Sequence, residues 1–171
     1  MTEMRDALWN ESIGPADYRE SDSSDRYRTA VFEQYKLCVE LADRSSARRS
    51  VSNTFFLTAN SVLVTVLATA APELRDGISV WLLLPGFVIL LTMCISWFVL
   101  VRSYRQLNKV KWQVIGALEE RLPAYAYSRA EWGFLGEGRD PRKYLQISYV
   151  EQWVPIVFAL AYLLGFLALT L

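Results

Sequence analysis

At 171 residues the chain is long enough for one domain, and its 53 % hydrophobic and 13 % aromatic content is high for one that folds in water. The formal charge is zero, histidine is absent and only two cysteines occur, so there is no zinc-type ligand set. No nucleophile stands beside a plausible base, and the acyl-transfer, phosphoryl-transfer and metal-hydrolase constellations have no recognisable parts. The expectation is a protein that is not an enzyme and carries no cofactor.

The charge is distributed unevenly. Residues 1–25 hold seven acids against Arg5 and Arg19, which leaves 16 basic against 11 acidic groups in residues 26–171. Residues 1–25 therefore read as an acidic, disordered tail with Gly14 and Pro15 and few large apolar residues. Such an arm can compete for a basic surface of its own protein.

From Ala16 to Ala71 the sequence has no Gly and no Pro, and nothing local forces a turn until Pro72. Ser21–Asp25 supplies helix-starting side chains. A cytoplasmic helix is predicted over 26–49, with Val31, Tyr35, Cys38 and Ala42 on one packing face. It continues without a break into a charge-free stretch, 50–72, whose 23 residues at about 1.5 Å rise suffice to cross about 30 Å of hydrocarbon.

A short outer turn at 73–76 precedes the second charge-free run, 77–101, which contains Pro85-Gly86 and admits a kink there. Trp81 and Tyr104 suit the two interfacial belts. A helical period then persists over 102–122, with Tyr104, Leu107, Val114, Ile115, Leu118 and Leu122 on one side, until Pro123. The two extensions are nearly equal in length, so 26–122 reads as a long antiparallel helical hairpin reaching into the cytoplasm. Counting from the membrane sets Lys111 level with Glu40 and Asp43, where an ion pair is expected.

Residues 123–151 form a cytoplasmic elbow rich in aromatics and glycine. Gly133-x-x-Gly136-x-Gly138 lacks the strand and helix context of a dinucleotide site and reads as turn glycines. The third transmembrane helix is 152–171, with Trp153 and Pro155 in its first turn. The fold class is thus an all-α integral membrane protein with three transmembrane helices. Lys and Arg flank the spans on one side, which sets the N-terminus inside and the C-terminus outside the plasma membrane. Cys38 and Cys94 fall in different compartments on this topology and form no disulfide.

Two sets of residues carry the functional reading. Ser50, Asn53, Thr54, Thr58, Ser61, Thr65 and Thr69 recur every three or four residues down the first span, with Asn60 at the edge. Hydroxyl and amide rows of this kind hydrogen-bond neighbouring helices at about 0.6 kcal/mol per pair; alternatively, several copies around an axis turn the row inward as an uncharged, wet ion path. Asn53, Thr54, Thr58, Ser61 and Thr65 are the candidate pore-lining residues. Arg44, Arg48, Arg49, Arg102, Arg105 and Lys109 gather at the inner mouth. Each alone sets topology or meets lipid headgroups, whereas repeated around a homo-oligomer they make a positive ring able to bind a polyanion through its phosphates. A scaffold that recruits a cytoplasmic partner through hairpin and elbow is the alternative function.

The stretches FEQYKLCVELADRSSARRSVSNTFFL (Phe32–Leu57) and EWGFLGEGRDPRKYLQISYVEQWVP (Glu131–Pro155) resemble small bacterial integral membrane proteins encoded in anti-phage defence islands. The resemblance is to effectors of the Hailong type, with the two-span SLATT class similar in organisation, and it covers about residues 27–171. It implies a homo-oligomeric inner-membrane ion channel controlled by the product of a nucleotidyltransferase, a single-stranded DNA oligomer or signalling nucleotide, with the nucleotidyltransferase itself as a further partner. It also implies an inner-mouth role for Arg44, Arg48 and Arg49.

Overall fold

A charge-free run of apolar residues satisfies its backbone polar groups only by bonding to itself, and a helix is the simplest way to do so. In the computed structural model, which describes residues 23–77, 80–135 and 147–170, every described element is helical. Helix α1 spans Ser23–Gly77 and α2 spans Val80–Glu119. A π-helical turn, Ala126–Glu131, leads into a single turn, α3 (Trp132–Phe134), and α4 covers Ile147–Thr170. Three of these helices are long and apolar enough to cross a membrane, in agreement with the three charge-free runs.

The described residues fall into two compact units. A charged unit is built from 23–46 and 106–135, and an apolar unit from 47–77, 80–105 and 147–170. The divisions fall close to the ends of the charge-free runs. In the apolar unit, Val51, Phe55, Ile89, Ile95, Trp153 and Leu164 are each at least 62 % exposed, a surface suited to lipid or to another subunit.

Four local expectations change. The outer turn does not begin at 73: α1 stays helical through Pro72 to Gly77. Proline's fixed φ is helical and its missing N–H costs one ladder bond, to the carbonyl of Ala68, which a 55-residue helix tolerates. Helix α2 ends at Glu119, three residues before the expected stop, and is followed by tight turns in which Arg121 and Leu122 donate to the Leu118 and Glu119 carbonyls at 3.1 and 3.0 Å. Pro155 lies well inside α4, which starts at Ile147, and is buried. Lys111 does not pair with Glu40 or Asp43. Its Nζ donates to the Leu41 carbonyl at 2.9 Å, because Glu40 is already held one turn along its own helix by Arg44 at 2.6 Å.

The packing face of α1 is as expected, with Val31 and Ala42 buried and Tyr35 and Cys38 half-buried. On α2, Ile115 and Leu118 are buried, but Leu107 is 46 % exposed and does not join them. The cysteines are free. The acidic tail up to residue 22 and the glycines at 136 and 138 lie outside the described residues.

Candidate functional site

In the apolar unit the polar residues of α1 divide between two faces. At about 100° per residue, Asn60 returns to within about 20° of Asn53, whereas Thr54, Thr58, Ser61 and Thr65 lie roughly 80–140° further round. Asn60 is fully buried and ties three helices together. Its Oδ1 accepts from the Tyr162 hydroxyl of α4 at 2.9 Å and from Cys94 Sγ of α2 at 3.6 Å, and its Nδ2 donates to the Phe56 carbonyl at 2.8 Å. Asn53 Oδ1 accepts from Trp97 Nε1 at 2.7 Å. The fully buried Trp97 ring stacks on Phe56, with centroids 5.7 Å apart, and lies 5.9 Å from the Phe158 ring. The two asparagines thus serve packing within one protomer.

The hydroxyl face is different. Thr54, Thr58, Ser61, Thr65 and Thr69 are all exposed. The Thr65 hydroxyl donates to the Ser61 carbonyl at 3.0 Å, and that of Thr69 is shared between the Thr65 and Val66 carbonyls at 3.1 and 2.9 Å. Back-bonding of this kind uses the single O–H donor and leaves oxygen lone pairs directed away from the helix. The face is uncharged and rich in acceptors.

The basic residues of this unit also separate. Arg49 pairs with Glu151 at 3.7 Å, both side chains being less than a fifth exposed, and Arg105 Nη1 donates to Gln152 Oε1 at 3.1 Å. Both hold the beginning of α4. Arg48 and Arg102 are exposed. The two remaining candidates belong to the charged unit: Arg44 is exposed and paired with Glu40, and Lys109 is exposed.

The charged unit contains a polar centre that the sequence reading missed. Glu119 is fully buried. Its Oε1 accepts from the Tyr127 backbone N–H at 2.9 Å and from the Tyr35 hydroxyl at 3.3 Å; its Oε2 accepts from the Ser128 backbone N–H at 2.9 Å and the Ser128 hydroxyl at 2.5 Å. Burial by itself raises this carboxyl, but the bonds from Ser128, Tyr127 and Tyr35 outweigh it and hold the group below the usual glutamate value. Tyr35 is pushed up to about 12, first by burial and then by the Glu119 charge. Trp112 and Tyr127 complete the contact with ring centroids 5.3 Å apart, and Gly116 allows the approach, since a Cβ there would lie 3.1 Å from that of Ser128. A signal was present in the sequence. An acid in the last turn of a helix opposes the helix dipole, and this one follows Ile115 by four residues on the packing side.

Residues 32–171 match the model of the octameric membrane protein family (8xMP), whereas no curated protein and no solved structure matches the chain.

Proposed function

This chain belongs to the octameric membrane protein family, and from that premise we propose that it assembles as a homo-octamer around an ion path lined by the hydroxyl face of α1. The observation that carries this reading is the separation of faces on α1. Asn53 and Asn60 meet the packing needs of the protomer, yet the hydroxyl-bearing Thr54, Thr58, Ser61 and Thr65 are exposed in the same charge-free run. Repeated around an axis, that face offers a permeant cation a row of oxygens.

Control of the path is assigned to a polyanionic ligand, a nucleotide or single-stranded oligonucleotide. Within the apolar unit Arg48 and Arg102 are its contacts, while Arg49 and Arg105 position α4 through Glu151 and Gln152. Arg44 and Lys109 of the charged unit add to the same basic character. The resemblance of Phe32–Leu57 and Glu131–Pro155 to defence-island effectors supports a role in bacterial anti-phage defence, in which activation depolarises the inner membrane. The Lys and Arg bias supports a cytoplasmic N-terminus and an external C-terminus.

Ion flux from liposomes, with and without a single-stranded oligonucleotide across a salt series, tests the reading. Flux that the oligonucleotide changes at low salt and not at high salt is expected, because phosphate contacts weaken steeply as salt rises. Thr58→Leu or Ser61→Leu should alter conductance, and Arg48→Gln with Arg102→Gln should remove the oligonucleotide effect without loss of assembly. No flux from folded, inserted protein favours a membrane scaffold, for which the outward Phe134, 89 % exposed, is the specific observation.

A further inference from the structure

The charged unit exposes large apolar side chains where lipid does not reach them. Leu37 and Leu41 of α1 are 56 % and 53 % exposed, and they share their turns with Glu33, Lys36, Glu40, Asp43 and Arg44, which keep this segment out of hydrocarbon. Leu107 and Val110 of α2 are 46 % and 51 % exposed, near Lys109 and Lys111. Neither pair contributes to the buried set of its unit, which is formed by Val31, Ala42, Ile115, Ala117 and Leu118. These are two patches on two helices.

A closed ring of identical subunits joins one surface of each copy to a different surface of the next, whereas a two-fold dimer needs only one surface that fits itself. On the octameric reading above, on which this inference rests, each subunit must therefore carry two unlike patches. We propose that Leu37 and Leu41 of one copy pack against Leu107 and Val110 of the next, so that the charged unit forms a head-to-tail subunit interface. The spacing suits the contact. Leu37 and Leu41 make an i, i+4 ridge and Leu107 and Val110 an i, i+3 ridge, the combination that interlocks two helices at a shallow crossing angle of about 20°. The charges permit it as well. Glu33 and Glu40 beside the first patch are neutralised on their own helix by Lys36 and Arg44 at 2.8 and 2.6 Å, and the second is bordered by the uncharged Ser103, Gln106 and Gln113 and by the cations Lys109 and Lys111. Among the described residues, Asp43 is the carboxylate beside the first patch that no bridge on its own helix neutralises, and Lys109 beside the second patch carries the opposite charge.

Disulfide mapping in liposomes tests the interface, using the full chain with Cys38→Ala and Cys94→Ser as background. Adding both Leu41→Cys and Val110→Cys should give, on mild oxidation, a ladder of covalent multimers, and each single substitution should give monomer only. Mixing the two single variants should give dimers and nothing larger. The pair Leu37→Cys with Leu107→Cys serves as a second probe should the first fail to fold, as judged by helical circular dichroism. Dimers from a single substitution would show that like patches meet and would overturn the proposal. Intact octamers by native mass spectrometry, without a ladder from either pair, would overturn this interface and leave the ring. Monomers in the background protein would overturn the ring itself, and the interface with it.

Discussion

Glu119 and Asn60 are both fully buried polar side chains that tie separate segments together, yet one is a carboxylate and the other an amide. Glu119 accepts four bonds, two of them from backbone N–H groups that would otherwise be lost to solvent at the turn after α2. Asn60 accepts one hydroxyl and one thiol and satisfies its own N–H on the preceding turn. A full charge is stable in the first setting because fixed dipoles replace its water shell. In the second setting the neighbours are helices whose backbone groups are already engaged, so only a neutral group with few demands fits. The charged unit is held by local saturation, the apolar unit by sparse cross-helix bonds.

The sharpest break in this comparison is Glu119→Ala. It leaves the Tyr127 and Ser128 N–H groups and the Tyr35 hydroxyl without an acceptor, at about 1–3 kcal/mol each, so a loss of about 4 kcal/mol in unfolding free energy is expected. Hydrogen exchange should accelerate at the Tyr127 and Ser128 amides and not in α4. The same centre gives a pH signature. A carboxyl held below its unfolded value of 4.5 contributes full stability above that value and loses it as pH falls through 4.5 toward the folded value. Acid melts should therefore show a decline below 4.5 that Glu119→Gln flattens. Tyr35 acts at the other extreme: its neutral form is favoured, and its contribution is lost as pH rises from about 10 to about 12.

Asn60→Asp asks the apolar unit to accept what the charged unit accommodates. A carboxylate at mid-membrane costs about 3 kcal/mol, and thermal unfolding in detergent at neutral pH should fall accordingly, with recovery as the acid is protonated. Equal stability of the two proteins at neutral pH would erase the contrast. Trp97→Phe is the mildest test. It keeps a ring against Phe56 but removes the donor to Asn53, for an expected loss of about 0.6 kcal/mol by the same melt.

How much of this was legible followed the range of the interactions. The three spans are visible because hydrocarbon excludes charge over the whole length of a helix, and the Val31–Ala42 face because its period is local. The bond from Tyr162 to Asn60 joins residues 102 apart, and the spacing along α1, which sets Asn60 at an angle to the hydroxyls, does not say which of the two faces meets the other helices. That is why one polar stripe in the sequence became two faces in the fold. Lys111 shows the same limit at short range. Its height on the hairpin was readable, but the earlier claim of Arg44 on Glu40 was decided by side-chain reach.

The π-helical turn at Ala126–Glu131 bears on chain length. Ala130 N–H reaches back five residues to the Tyr125 carbonyl at 3.1 Å, one residue more than an α-turn encloses. This segment can therefore lose one residue and remain helical, at the cost of rotating everything after it by about 100°. The exposure of both Trp132 and Phe134, 40 % and 89 %, is set here by a count of residues, and a single in-frame codon deletion would turn both rings together by that angle.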